Sequence, residues 1–241
     1  MMPDLATLHA AAEATWPPAR RSRVGPVTIR DGAGGGKRVS AATATGTVTQ
    51  GDLDRAEAAM RDAGQVPLFQ LRAGDEALDA LLAARGYAMI DPVNIQLAPV
   101  AALTGARPPR LTTFTVWEPL AIMRDIWAEG GIGPARLAVM HRAEGPRTGL
   151  FARHADQPAG AGFVAIHAGV AMLHALEVRA RHRRAGVGRL MIRQAALWAE
   201  EHGARHLALL CAQGNAASNA LCSAMGFSCA GTYHYRTKEE T

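Results

Sequence analysis

The chain contains the same run of predicted elements twice, about 139 residues apart. In each copy a helix ends at a glycine, an apolar strand and a second helix follow, and the copy closes on a glycine and an aromatic residue. The early copy runs from Asp52 to Tyr87 and the late copy from Gly188 to Phe227. The two glycines are 22 residues apart in the first copy and 23 in the second. This self-similarity predicts one supersecondary unit used twice.

A stretch rich in proline separates the two copies. Residues 99–110, "PVAALTGARPPR", contain three prolines and a glycine, which is typical of a linker. We therefore expect an N-terminal half at residues 1–98 and a second domain at residues 111–241. The 49% of hydrophobic residues is sufficient for a real core in a chain of this length.

The second half has the pattern of an α+β domain. We predict helices near Glu118 to Ala128 and Pro134 to Arg142, followed by the strands "TGLFARH", "GAGFVAIH" and "AMLHALEV". The segments "ADQPA" and "AGV" that join the strands are short enough for antiparallel hairpins.

The third of these strands does not keep the alternation of a regular strand. Its apolar residues Leu173, Leu176 and Val178 break the period of two, so we expect a β-bulge near Ala175 to Glu177. A bulge would splay this strand from the next one and leave backbone groups unpaired between them. Such a gap suits an extended ligand.

A basic, glycine-containing loop follows that strand and opens the next helix. The segment from Arg179 to Arg193 contains six arginines and no acid, which more than accounts for the formal net charge of +5. In Arg183–Gly188 the glycines permit close approach of a ligand, and the first N–H groups of the helix have no internal partner. We interpret the loop as an anion site, with a pyrophosphate as its ligand. The alternative is a basic turn that only caps the helix.

Residues 111–241 resemble the GCN5-related N-acetyltransferase (GNAT) family. "LHALEVRARHRRAGVGRLM" follows the strand and loop pattern of the family, and Arg183, Gly186 and Gly188 lie on its [RQ]xxGx[GA] positions. Eleven residues separate Asn215 from Gly226, as in the family's N…GF segment, and "GTYHYR" resembles its closing strand.

The resemblance implies an α+β GNAT fold, which is a mixed, mostly antiparallel sheet flanked by helices, and an N-acetyltransferase that uses acetyl-CoA. It also implies that one β strand hydrogen-bonds the pantetheine arm and that the loop binds the pyrophosphate. The N-terminal half resembles the degenerate first half of two-part members. The residues expected to bind acetyl-CoA are Leu176, Glu177, Val178, Arg183, Arg184, Ala185, Gly186, Val187, Gly188, Arg189 and Asn215.

The candidate catalytic residues depart from the family pattern at one position. The tyrosine that can protonate the departing thiolate in the family falls on Cys222, which is either a thiol acid or a small packing residue. Tyr233 or Tyr235 is the alternative acid. "LHALxV" resembles the arylalkylamine N-acetyltransferases and puts His174 at a base position, with Glu177 as the other candidate. His174 is otherwise a hydrogen-bonded core histidine.

The composition argues against disulfide-bonded, metal-binding and membrane proteins. The three cysteines, Cys211, Cys222 and Cys229, form no CxxC pair, so we expect neither a disulfide framework nor a metal site. No apolar run approaches the length of a membrane span, and no basic leader precedes an apolar stretch, so we expect a cytoplasmic protein with no membrane partner. We read "ATWPPARRSR", residues 14–23, as a solvated connection.

We therefore predict direct transfer of an acetyl group to a primary amine of a small molecule or peptide, by a monomer or homodimer. One rival is a noncatalytic acyl-CoA sensor. The other is a nucleic-acid-binding module that uses the Arg179 to Arg193 cluster, although cations gathered at one point favour a compact polyanion over nucleic acid. The acceptor amine, the preferred acyl chain and the general acid are not specified by the sequence.

Overall fold

The computed structural model describes residues 2–238 of the chain. The helices in this range are α1 (Leu5–Thr15), α2 (Lys37–Ser40), α3 (Gln50–Asp62), α4 (Glu76–Ala84), α5 (Val100–Leu103), α6 (Ala121–Glu129), α7 (Pro134–Arg142), α8 (Val187–Glu201) and α9 (Ala216–Ala224). The strands are β1 (Arg20–Val24), β2 (Val27–Asp31), β3 (Thr43–Ala44), β4 (Leu68–Arg72), β5 (Ala88–Pro99), β6 (Thr113–Val116), β7 (Arg147–His154), β8 (Gln157–His167), β9 (Val170–Val178), β10 (His206–Ala212) and β11 (Ser228–Thr237). A 3-10 turn occupies Ala180–His182.

The chain folds into two compact units that are not consecutive segments. The larger unit contains residues 2–17, 95–211 and 215–230, and the smaller unit contains residues 18–94, 212–214 and 231–238. The boundary therefore falls inside β5, β10 and β11.

The larger unit is built on a mixed sheet with the strand order β5-β10-β9-β8-β7-β6. The strands β6 to β9 pair antiparallel, whereas β9 and β10 run parallel. Leu173 of β9 joins a hydrophobic core with Met191 and Ala195 of α8, while α1 and α6 contact β8 and β9. Neighbouring residues of a strand point to opposite faces. His174, next to Leu173, therefore faces away from α8.

The predicted elements of this unit are largely confirmed. The helices expected near residues 118–128 and 134–142 are α6 and α7, and the three expected strands are β7, β8 and β9. The linker expected at residues 99–110 is only partly irregular, because it starts at the last residue of β5 and contains α5. Within residues 2–238, no helix is long and apolar enough to cross a membrane.

The smaller unit contains a three-stranded antiparallel sheet, β1-β2-β3, and an antiparallel pair of β4 with β11. Its hydrophobic core is formed largely by α3, β4 and α4, with Leu53, Phe69 and Leu82 fully buried. Asp79 of α4 holds β11 in place. Its carboxylate accepts hydrogen bonds from His234 Nε2 at 2.8 Å and from Arg236 Nε at 2.7 Å.

The internal repeat is visible in the order of the elements. α3, β4, α4 and β5 follow one another in the same order as α8, β10, α9 and β11. The glycines that follow these helices, Gly64, Gly86, Gly203 and Gly226, all have φ between +69° and +83°. That left-handed backbone conformation favours glycine and ends a helix.

One interpretation of the sequence is wrong. The segment "ATWPPARRSR" is a solvated connection only in its later part, because Trp16 at the end of α1 is only 5% exposed. Its indole lies on the His174 imidazole, with ring centroids 4.9 Å apart. A tryptophan beside two prolines has the composition of a loop, and only the contact made in the folded chain reveals its burial.

Candidate functional site

The β-bulge predicted in β9 is present. Phe163 of β8 pairs with His174, and Ala161 pairs with Glu177, so two residues of β9 lie opposite one residue of β8. Ala175 forms the bulge with a φ of +50°. This left-handed conformation is unusual for alanine and therefore requires support from its surroundings.

Beyond the bulge, β9 and β10 no longer follow each other. Their parallel pairing runs from Val170↔His206 to Leu173↔Leu209, although β9 extends to Val178 and β10 to Ala212. Because the register with β10 ends at Leu173, the backbone of residues 174–178 borders a gap on the side of β10, while its other side remains along β8. The side chains of Leu176 and Val178 pack against the core shared with α8.

The basic loop leads directly into the N-terminus of α8. Gly186 is the N-cap residue with a φ of +80°, and no side chain caps this helix end by a hydrogen bond. Val187 is buried, whereas residues 183–186 are exposed. An uncapped helix start carries free N–H groups and the positive end of the helix dipole, so this end of α8 is suited to bind an anion.

The two glycines of the loop have different roles. A Cβ added to Gly186 would meet no atom within 4 Å, so this position is open. A Cβ added to Gly188 would lie 3.1 Å from Cδ2 of Leu221 on α9. Gly188 therefore allows the close packing of α8 against α9, whereas Gly186 leaves free space in front of the helix.

The arginines around the loop are not equivalent. Arg183 donates from Nε to the carbonyl of Val178 at 3.0 Å and from Nη2 to Oε1 of Glu177 at 3.2 Å. Arg179 is paired through Nε and Nη2 with the carboxylate of Glu129 at 3.0 and 2.7 Å. Within residues 2–238, Arg184 and Arg189 form no ion pair, so their charges remain available to an anionic ligand.

Glu177 lies between two loops. Its side chain is 20% exposed, and one of its carboxylate oxygens accepts the hydrogen bond from Arg183. Its other oxygen lies against Gly130, the residue that ends α6. The carboxylate is therefore next to the anion loop and at the open end of β9.

His174 is in a more enclosed position. It is 2% exposed, its Nε2 is 2.8 Å from Oγ1 of Thr15, and its ring lies against Trp16 and Phe163. The Thr15 hydroxyl donates its one hydrogen to the Ala11 carbonyl at 2.6 Å, so it accepts from His174. Nε2 of His174 therefore carries a proton.

Cys222 lies on α9 in the hydrophobic core of the larger unit and is 1% exposed. Its Sγ is 3.9 Å from Sγ of Cys211. The hydrogen bond with Cys211 and the burial of the site raise the pKa of the Cys222 thiol. This environment resembles that of a packing residue, and it weighs against the acid role considered from the sequence.

The remaining candidates are distributed over both units. Asn215 is the N-cap of α9, where its Oδ1 accepts from the amide of Ser218 at 3.0 Å. Tyr233 and Tyr235 belong to the part of β11 in the smaller unit, where their rings pack edge to face at 5.6 Å. Within residues 2–238, no group of three or more His, Cys, Asp or Glu side chains is arranged to hold a metal ion.

Two residues that shape this site, Trp127 and Gly130, are not indicated by any sequence pattern. Trp127 of α6 donates from its indole Nε1 to the carbonyl of Ala175 at 2.8 Å. Gly130 leaves room for the Glu177 side chain. In the sequence, Trp127 has the spacing of an ordinary core residue and Gly130 that of a helix end, so neither pattern indicates a contact with β9.

Comparisons with known proteins indicate the class of this domain. Residues 117–227 match the model of the acetyltransferase (GNAT) family. The uncharacterized N-acetyltransferase YobR of Bacillus subtilis (strain 168) is 26% identical over 247 residues, which cover 98% of this chain and 100% of that protein.

Two solved structures are similar over most of the chain. A GCN5-related N-acetyltransferase from Kribbella flavida has a TM-score of 0.75 at 17% identity, covering 100% of this chain and 98% of that one. A tandem GNAT protein from the clavulanic acid biosynthesis pathway has a TM-score of 0.67 at 14% identity, covering 96% of this chain and 87% of that one.

The mixed sheet and its flanking helices thus form the acyl-CoA N-acyltransferase fold. Residues 117–227 are thus a domain of the GNAT type, and the chain as a whole is similar to an N-acetyltransferase along nearly its full length. Proteins of this family are acetyltransferases that in general use acetyl-CoA and act on amine acceptors.

Proposed function

We propose that the protein transfers the acetyl group of acetyl-CoA directly to a primary amine of a small molecule or peptide. The observation that carries this proposal is the uncapped N-terminus of α8, which lies next to the splayed end of β9. Free amides and unpaired arginines suit the pyrophosphate of the coenzyme, and an open strand end suits its extended pantetheine arm.

In this proposal the pyrophosphate accepts hydrogen bonds from the loop and from the first turn of α8. Gly186 leaves the space for the phosphates, and Arg184 and Arg189 supply positive charge, with Arg183 close by. Anions bind helix N-termini through N–H groups and the helix dipole together. The residues assigned to the anion are Arg183, Arg184, Ala185, Gly186, Val187, Gly188 and Arg189.

The pantetheine arm would lie along the backbone of Leu176, Glu177 and Val178 like an added strand. This assignment is supported by the end of the β9–β10 register at Leu173. Peptide-like groups bind exposed strand edges through main-chain hydrogen bonds. For Asn215 we propose an indirect role. Its side-chain oxygen caps α9, so the residue stabilises the start of that helix and is not assigned a hydrogen bond to the coenzyme.

We assign the removal of the amine proton to Glu177, acting directly or through water. Its carboxylate is partly exposed and adjoins both the anion loop and the end of β9. A general base must reach the proton that it abstracts, directly or through one water. His174 is the second candidate, but its burial beneath Trp16 and its bond to Thr15 favour Glu177.

We further propose that the N-terminal repeat is a degenerate copy without a coenzyme site. The helix α3 corresponds to α8 in the repeat, but its N-terminus is closed by a capping box. Thr49 accepts from the amide of Asp52, and the Asp52 carboxylate accepts from the amide of Thr49. The capping box occupies backbone N–H groups that a phosphate would need, and the Asp52 carboxylate would repel the phosphate. Both effects oppose the binding of a phosphate at the start of α3.

The test compares the two ends of one helix. Gly186 and Gly203 flank α8, have φ of +80° and +79°, and would each accept a Cβ without contact within 4 Å. We expect Gly186→Glu to weaken the binding of acetyl-CoA by at least about 10-fold, because a lost charge-assisted contact costs roughly 1.5 to 3 kcal/mol. Gly203→Glu, which introduces the same side chain and strain, should bind within about threefold of the wild type.

Isothermal titration calorimetry gives both the affinity and the stoichiometry. We expect one coenzyme per chain. Two coenzymes per chain would contradict the degenerate copy, and equal affinities of the two variants would contradict the loop assignment. Release of free thiol from acetyl-CoA across a panel of amines, amino acids and peptides then measures transfer. Binding without turnover on any acceptor would identify an acyl-CoA sensor instead.

A further inference from the structure

We propose that Gly130 is a positioning residue for Glu177. The absence of a side chain at position 130 creates the space that holds the Glu177 carboxylate at the end of β9. This inference rests on the proposed function in one respect, since the consequence for turnover requires Glu177 to be the base. The steric relationship itself is independent of that role.

The contact between the two residues is close. A Cβ built on Gly130 would lie 2.6 Å from both Cδ and Oε2 of Glu177, and 2.7 Å from its Cγ. Cβ atoms do not approach other heavy atoms at such distances, so any side chain at position 130 would displace the carboxylate. Gly130 has an ordinary φ of −88°, so the backbone does not require glycine there. The requirement comes from Glu177.

The loop that carries Gly130 is fixed on both sides. The amides of Gly131 and Ile132 donate to the carbonyls of Ala128 and Trp127 at 3.0 and 2.7 Å, which closes the end of α6. The Trp127 indole is bonded to the bulge carbonyl of Ala175.

A third link ties the end of α6 to the end of β9. The carboxylate of Glu129, next to Gly130, is paired twice with Arg179, which directly follows β9. The loop therefore cannot easily move away, and the adjustment to a new side chain would fall on Glu177.

The Glu177 carboxylate is also held on the side away from Gly130. Oε1 of Glu177 accepts from Nη2 of Arg183, whose Nε is held by the carbonyl of Val178. The Glu177 carboxylate thus lies between Gly130 on one side and the Arg183 guanidinium on the other. A carboxylate held from two sides loses little orientational freedom when it takes up a proton, and a misplacement of about 1 Å in a reacting group can cost on the order of 100-fold in rate.

The first test is Gly130→Ala with Gly133→Ala as the matched control. Gly133 lies in the same loop, has a φ of −88°, and would accept a Cβ without contact within 4 Å. We expect Gly130→Ala to lower kcat by about 10- to 100-fold, whereas acetyl-CoA affinity changes by less than about threefold. Gly133→Ala should keep kcat within about twofold, with a small loss of thermal stability because alanine is a poorer N-cap than glycine.

A double-mutant cycle identifies the partner of Gly130. Glu177→Asp shortens the side chain by one methylene and makes room for a Cβ at position 130. In the Glu177→Asp background, the loss of kcat caused by Gly130→Ala should fall to less than about threefold. A full loss in that background would overturn the proposal, as would a Gly130→Ala variant with wild-type kcat.

A second double-mutant cycle, measured by thermal unfolding, does not depend on activity. Gly130→Ala should lower Tm in the presence of Glu177, and should leave it unchanged or raise it in the Glu177→Ala background, because coupled neighbours are non-additive. If Gly130→Ala changed Tm equally in both backgrounds, the proposed steric relationship between Gly130 and Glu177 would be overturned. If the wild type turned over no acceptor, the proposed function would fail while this cycle still decided the role of Gly130.

Discussion

The indole of Trp127 donates a hydrogen bond to the carbonyl oxygen of Ala175, the residue at which β9 leaves its regular register. One side chain from α6 thus supports the strained residue of the bulge and satisfies its backbone. The last residue of β9 that pairs with β10 is Leu173, two residues before this contact. The shape of the candidate site therefore depends on a helix that contributes no proposed ligand contact of its own.

Replacing Trp127 by phenylalanine should remove that support. The variant keeps an aromatic ring but leaves the partly buried carbonyl of Ala175 without its donor, which costs about 1 to 3 kcal/mol of unfolding free energy. Urea unfolding measures the loss, and hydrogen exchange should show faster exchange in β9. Trp198→Phe on α8 is the control for lost ring volume. If the exchange of β9 amides rose equally in both variants, the hydrogen bond would have no special role.

The roles of His174 and Glu177 can be separated by two glutamine variants. We expect Glu177→Gln to lower kcat by about 100-fold or more, a typical contribution of a general base. His174→Gln should reduce stability by about 1 to 3 kcal/mol, because it disturbs a buried hydrogen bond and the packing on Trp16. Its kcat should fall less than that of Glu177→Gln. The reverse order of kcat in well-folded variants would make His174 the base.

The position of Cys222 leads to an expectation about packing. Cys222→Ala should retain turnover from about pH 6 to 9, because a buried thiol with a raised pKa is a poor proton donor. Cys222→Tyr should destabilise the protein by about 1 to 3 kcal/mol or more by overpacking the core. Cys229→Tyr, at an exposed cysteine, is the control. A loss of turnover in Cys222→Ala with an unchanged melting temperature would restore the acid role.

Two aspartates of the smaller unit should respond to pH with opposite signs. The hydrogen bond from Arg236 and the bond from His234 lower the pKa of Asp79, whereas burial raises the pKa of Asp75. The stabilisation by Asp79 is thus present above the ordinary aspartate pKa of about 3.9 and is lost as the pH falls below it. For Asp75 the stability decreases as the pH rises above that value.

The measurement is chemical unfolding of two asparagine variants at about pH 3 and 7. Asp79→Asn should be less stable than the wild type at pH 7, by roughly 1 to 3 kcal/mol, and the difference should shrink at pH 3. Asp75→Asn should be neutral or slightly stabilising at pH 7, since it removes a carboxylate whose ionised form is disfavoured. A constant difference for Asp79→Asn at both pH values would mean that its charge contributes nothing.

The sequence predicts the local elements of this fold well and their long-range contacts poorly. The broken alternation around Leu176 indicated the bulge, and the glycines after Arg184 indicated the open start of α8, because both are properties of a few adjacent residues. The partners of those elements come from elsewhere in the chain. Trp16 covers His174 from a segment 158 residues away in sequence, and no local pattern encodes such a contact.

The strand β4 pairs with β11, and this pairing affects how the chain can fold during its synthesis. Arg72 and its partner Tyr233 are about 160 residues apart in sequence. The ribosome must therefore produce the intervening chain before β4 can pair with β11, and at ordinary rates of elongation this takes roughly 10 to 30 seconds. During that interval β4 has an open edge. A nascent chain with an unpaired strand is prone to pair with other chains, so we expect the yield of folded protein to depend on growth temperature and chaperones more than its final stability would indicate.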